Sequence, residues 1–210
     1  LIRFRQENLI RTGRNMLIFD PARLENAIAS AGGQQSLDLG RALAAAGLLA
    51  EAQSDLAAAR SCQERALEVF RSEGFARGVA DSLTGLAAVA RAEGDLDRAR
   101  LLHQEAYDVW SALGEQQGAA GALLDVGAVS LLRGDLANAE PVLQDALSRF
   151  LEVRDEAGEA HARLALAVAA AFGERLDEAK VGFQETIKIW KSLGAEQMAA
   201  YGQMNLAELL

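Results

Sequence analysis

The sequence predicts an all-α protein, an α-solenoid of stacked helix pairs, and three observations carry that prediction. Roughly a fifth of the 210 residues are alanine, the best helix former, while the aromatic residues that favour strands make up 5%. The chain matches itself when shifted by forty residues. Within each forty-residue unit, apolar residues recur at three- and four-residue steps, and glycine interrupts the pattern at matching places.

The repeat rests on named columns. Leu56, Leu96, Leu136 and Leu176 coincide, as do Ala59, Ala99, Ala139 and Ala179, then Ala66, Ala106, Ala146 and Thr186. Phe70, Trp110, Phe150 and Trp190 form an aromatic column. At 5% aromatics, four in one column has a chance frequency of ~6 × 10⁻⁶, or roughly 2 × 10⁻⁴ over forty columns, so the period is real.

Residues 1–35 fall outside these columns and read as a degenerate capping helix pair. Leu9, Ile10, Gly13, Met16 and Leu17 offer one helical face; Asp20-Pro21 offers a second start and Gly32-Gly33 a stop. The solenoid follows over 36–210, as units 36–75, 76–115, 116–155 and 156–195 and a half unit 196–210. Unit two shows the logic. Ala80, Leu83, Leu86, Ala87 and Ala90 make the stripe of a first helix, which Gly94-Asp95 ends. Leu96, Ala99, Leu102, Ala106 and Val109-Trp110 make the stripe of a second, with Gly114 just past its end. Gly74 and Gly194 are equivalent to Gly114, whereas unit three has Arg154 there. No unit can bury its apolar face alone, so stacking is required. The half unit's single first helix reads either as a cap or as the start of further chain.

Composition excludes several classes. Cys62 has no partner for an intrachain disulfide. The longest apolar runs, Ala42–Ala50 and Leu164–Phe172, reach about half the ~18 residues of a membrane span. No charged-then-apolar leader opens the sequence, so a cytoplasmic location and no membrane partner are expected. A net charge of −9, from 21 Lys+Arg against 30 Asp+Glu, argues against direct nucleic-acid binding. The one basic cluster, Arg3, Arg5, Arg11 and Arg14, reads as a solvated helix face.

Candidates for chemistry are few. His103 and His161 lack ligand spacing around them and read as solvated or core-edge residues; no metal site and no cofactor are expected. Cys62 has no base beside it and reads as structural. Asp55, Asp95 and Asp135 recur at helix starts, where a carboxylate caps free amides. With no convergent acid, base or nucleophile, the chain reads as a non-enzyme.

This pattern resembles the tetratricopeptide repeat in a forty-residue variety. The family's small first-helix residue matches Gly47, Ala87, Gly127, Ala167 and Ala207, and an earlier leucine matches Leu43, Leu83 and Leu123, with Arg163 departing in unit four. The family's first-helix Trp and Tyr are absent, and no proline closes the repeats. The units are similar to those of bacterial LuxR-type and AfsR-like regulators and, more distantly, of kinesin light chain. The resemblance implies a right-handed superhelical solenoid of antiparallel helix pairs whose first helices line a concave groove. Carried onto this sequence, the groove positions include Arg41, Leu48, Asp81, Thr84, Arg91, Leu124, Asp125, His161, Leu164, Tyr201, Met204 and Asn205. Family members that clamp a peptide carboxylate use Lys and Asn; only Asn205 matches, so a partly apolar ligand is expected. The implied function is a non-catalytic scaffold that binds a protein or peptide partner in the groove. The alternative is the ligand-sensing segment of a larger bacterial transcriptional regulator. An apolar face left on the last helix leaves room for self-association as a homodimer.

Overall fold

The computed structural model describes residues 9–11, 17–19 and 36–209. From residue 36 onward the elements are helices: α1 (Ser36–Ala52), α2 (Leu56–Ser72), α3 (Ala76–Ala92), α4 (Leu96–Ala112), α5 (Gln116–Leu132), α6 (Leu136–Val153), α7 (Glu156–Phe172), α8 (Leu176–Ser192) and α9 (Glu196–Glu208). The fold is an all-α solenoid of helix pairs. A helix begins every twenty residues, so both helices of a forty-residue unit are nearly equal in length and every joint between them is a short turn.

Each turn is built alike. The carbonyl five residues back accepts from the amide at positions 55, 75, 95, 115, 135, 155, 175 and 195, as in Asp95 N to Ala90 O at 2.9 Å. The preceding residue is left-handed and its amide bonds three residues back, which together make the Schellman closure of a helix. Five of those left-handed residues are glycine, including Gly94 at φ +84°, while Ser54, Arg154 and Glu174 adopt the same region at +62°, +56° and +58°. The residue whose amide closes one helix also starts the next. Asp55, Asp95, Asp135 and Asp155 each accept from the amide three residues on, at 2.9–3.4 Å. The aspartates expected as caps are caps, and Asp155 joins them.

The chain divides into two units, Leu1–Leu102 and His103–Leu210. In the first, α1 packs on α2 and α2 on α3, and the first helices α1 and α3 also touch. Its core gathers Leu43, Ala66 and Phe70, with Ala50, Ala59 and Val89 beside them. In the second, α5 packs on α6 and each helix to α9 packs on its successor, while α5 also touches α7. Its core runs from Leu123 and Phe150 through Leu131 and Leu143 to Phe183 and Trp190. The alanine columns are fully buried: Ala59, Ala99, Ala139, Ala179, Ala66, Ala106, Ala146 and Thr186 all have no exposed surface. A larger side chain there would push facing helices apart.

A glycine column meets the aromatic one. A Cβ on Gly78 would stand 2.6 Å from the Phe70 ring and one on Gly118 2.5 Å from Trp110; one on Gly158 would overlap the Phe150 ring. Each of these three aromatics therefore packs closely against the bare backbone at the start of the next pair. At the start of the half unit Met198 takes the glycine's place, and Trp190 packs instead with Ala160, Ile187 and Ala199.

Ahead of the helices, β1 (Leu9–Arg11) and β2 (Leu17–Phe19) pair antiparallel, with Leu9 opposite Phe19 and Ile10 opposite Ile18. The helical face expected over Leu9–Leu17 is thus not formed there. Ile10, Ile18 and Phe19 are strand formers. The rest of the expected capping pair lies outside the described residues. No helix among the described residues is long and apolar enough to cross a membrane.

Candidate functional site

The residues marked for an inner face all sit on first helices of the pairs. Arg41 and Leu48 are on α1, and Asp81, Thr84 and Arg91 on α3; Leu124 and Asp125 are on α5, His161 and Leu164 on α7, and Tyr201, Met204 and Asn205 on α9. Every one is exposed or half-buried, although the same helices bury their other faces.

In the first unit, Leu48 stands 58% exposed on α1. Arg41 lies 3.3 Å from Asp38 and stacks its guanidinium 5.5 Å above the Phe75 ring, which holds it out over the turn into α3. Thr84 donates back to Ala80 O at 3.1 Å, so its hydroxyl serves its own helix. Desolvation raises the Asp81 carboxyl above the usual aspartate range, and Arg77 one turn earlier pulls it part of the way back. Beneath this face lies Gln63 of α2, 2% exposed. Its amide fills the space left by two glycines: a Cβ on Gly47 would come 2.7 Å from Nε2, and one on Gly85 2.6 Å. Nε2 donates to Ala44 O at 3.2 Å. A long amide between two bare backbones explains why those positions are glycine.

In the second unit, two of the expected contact residues are half-buried and pack partly against the core. Leu124 lies against the Leu123–Phe150 and Leu131–Leu143 clusters, and Leu164 against those of Trp190 and Phe183. The His161 Nδ1 is 2.7 Å from Ala157 O, and the ring meets Trp190 edge-on at 5.6 Å. Asn205 donates to Tyr201 O at 3.1 Å, within its own helix. Tyr201 and Met204 remain open, at 50% and 61% exposure. Asp125 lies 3.5 Å from Nδ1 of His103, which is buried at 4% exposure rather than at the edge of the core. His103 occupies the column of Gln63, so in both units a polar side chain from a second helix reaches toward a first helix. The column periodicity placed Gln63 and His103 in register; their polar type in an otherwise apolar column was the available signal.

Among the described residues, no group of three or more His, Cys, Asp and Glu side chains comes together as a metal site would require. Cys62 is buried beside Ala46, and burial followed by the charge of Asp55 pushes its thiol up, away from a reactive thiolate.

Comparison with known proteins gives a consistent picture. The family model for the tetratricopeptide repeat matches residues 24–115. Among solved structures, the apo form of RapI superposes with a TM-score of 0.77 at 13% identity, covering 87% of this chain and 66% of that one. Aspartyl phosphate phosphatase F from Bacillus subtilis gives 0.79 at 12% identity, covering 85% and 47%. A Rap protein complexed with competence and sporulation factor gives 0.61 at 13% identity, covering 90% and 67%. The chain thus spans about two thirds of RapI and about half of the phosphatase. At these identities the likeness is one of fold. The sequence matches no curated protein.

Proposed function

Because residues 24–115 match the tetratricopeptide-repeat family model and the chain folds as a solenoid of helix pairs, we propose that it is a protein-interaction scaffold and that the exposed faces of its first helices bind a peptide or an amphipathic helix, without catalysis. One observation carries the reading. Leu48, Tyr201 and Met204 leave large apolar surface in water on first helices that bury other residues, Leu43 and Ala46 in α1 and Ala199 in α9. Scattered exposed leucines need no explanation, but these share the column set that carries the ligand face in related repeats. Charged and polar groups flank them in each unit: Arg41 and Arg91 in the first, Asp125 in the second. That combination suits an amphipathic segment with mixed charge. The similar Rap structure that holds competence and sporulation factor supports the same class of ligand.

Peptides selected from a random library on the folded chain test this. Binding should weaken at least tenfold, ~1.4 kcal/mol, in Leu48→Glu or Met204→Glu, with circular dichroism and melting unchanged, because both side chains stand in water. Equal affinity in both variants overturns the assignment of the ligand to these faces. Leu124 and Leu164 are poor test positions, since glutamate there would enter the core.

A further inference from the structure

The fourth repeat breaks two columns at once, and both breaks line one cleft. Where Leu43, Leu83 and Leu123 are buried core residues, unit four has Arg163; where the others have Cys62, Leu102 and Val142, it has Gly182. Between α6 and α8 these two changes border a cleft of about 320 Å³. Its apolar wall is Leu147, Leu166 and Val181. The cleft is lined by α6 and α8, second helices of their pairs, and by Arg163, Leu166 and Ala167 of the first helix α7, and none of its lining residues is among the first-helix positions discussed above.

Its electrostatics favour one sign of ligand. Arg163 is already engaged: Nε donates to Glu159 and a terminal nitrogen to Glu185, both at 2.8 Å. Glu178 at the rim pairs with Arg175 at 2.9 Å, and Arg175 also pairs with Glu140. Among the residues that line the cleft, Glu178 and Glu185 carry negative charge and Arg163 alone carries positive charge. An incoming anion would meet the excess carboxylates, whereas a cation would gain charge-assisted hydrogen bonds from Glu178 and Glu185. An aliphatic stem can lie on Leu147, Leu166 and Val181 while its charged end reaches those carboxylates.

We infer that this cleft is a second docking pocket, which takes the lysine or arginine side chain of a protein partner. Amide and guanidine NMR of the intact chain tests it with capped single residues: N-acetyl-lysine and N-acetyl-arginine N-methylamides, with the norleucine and glutamate equivalents as controls. The cationic probes should give saturable shifts at Gly182, Val181 and the Arg163 Nε, and the controls should not. The double variant Glu178→Gln, Glu185→Gln, at two exposed positions, should lose the saturable shift while its spectrum stays dispersed. No saturable shift with either cationic probe, shifts that persist in the double variant, or equal shifts with norleucine would overturn the inference. Saturation by spermidine but by neither capped residue would overturn the protein side chain as occupant.

Discussion

At Gly121, in the interior of α5, nothing lies within 4 Å of where a Cβ would stand, whereas at Gly158, near the start of α7, it would overlap the Phe150 ring. Helix propensity favours alanine over glycine by about 0.5–1 kcal/mol at either position. Only packing distinguishes them, and at Gly158 packing wins. Phe150 is buried among Leu123, Ala146 and Ala162, so a shift of its ring would press on those neighbours. Overpacking of this kind costs roughly 1–3 kcal/mol, more than the propensity gain. Gly121→Ala should therefore raise the urea midpoint, and Gly158→Ala should lower it, with the m-value unchanged in both. If both variants shift the midpoint in the same direction, the aromatic–glycine contact does not govern the start of the repeat.

Turns make the same argument at the scale of an element. Each helix from α1 to α8 is followed by one left-handed residue, and three of these, Ser54, Arg154 and Glu174, carry side chains. A non-glycine residue there is strained by roughly 1–2 kcal/mol, which glycine relieves at the expense of greater freedom in the unfolded chain. Arg154→Gly and Glu174→Gly should each stabilise by about 0.5–1 kcal/mol, measured as a rise in thermal midpoint; a fall in either would contradict the strain. Much of this was legible in the sequence, because Gly74, Gly114 and Gly194 share a column and Asp55, Asp95 and Asp135 follow the turns as caps. Unit four was not: its glycine is Gly173, one residue early, at φ −84° in its role as cap of α7, and Glu174 takes the left-handed place. The short strands Leu9–Arg11 and Leu17–Phe19 were also misread, because three-residue apolar runs fit helical and extended periods equally well. The positions proposed to face a ligand came from the family resemblance, laid on the forty-residue period. Whether a given one faces water or a neighbouring helix could not be read that way, because Leu124 and Leu164 differ from Leu48 only in what packs beside them.

For the whole molecule, the contacts within each unit join a helix to its successor and a first helix to the next first helix. Stability in such an arrangement is a sum of local terms and nearest-neighbour interfaces rather than a property of one shared core. A strained contact should then be felt mainly by its neighbours. Gly158→Ala strains the meeting of α6 and α7, so native-state hydrogen exchange should show protection falling most in α6, α7 and α8. The loss should be least in α1 and α2, more than eighty residues away along the chain. A protein held by a single cooperative core would instead lose protection by the same factor in every slowly exchanging amide, since all would exchange through the same global opening. Exchange resolved helix by helix in parent and variant separates the two. A uniform loss would mean that the repeats are coupled far more strongly than their local packing implies, and that a ligand held on one unit's first-helix face would stabilise the whole chain equally.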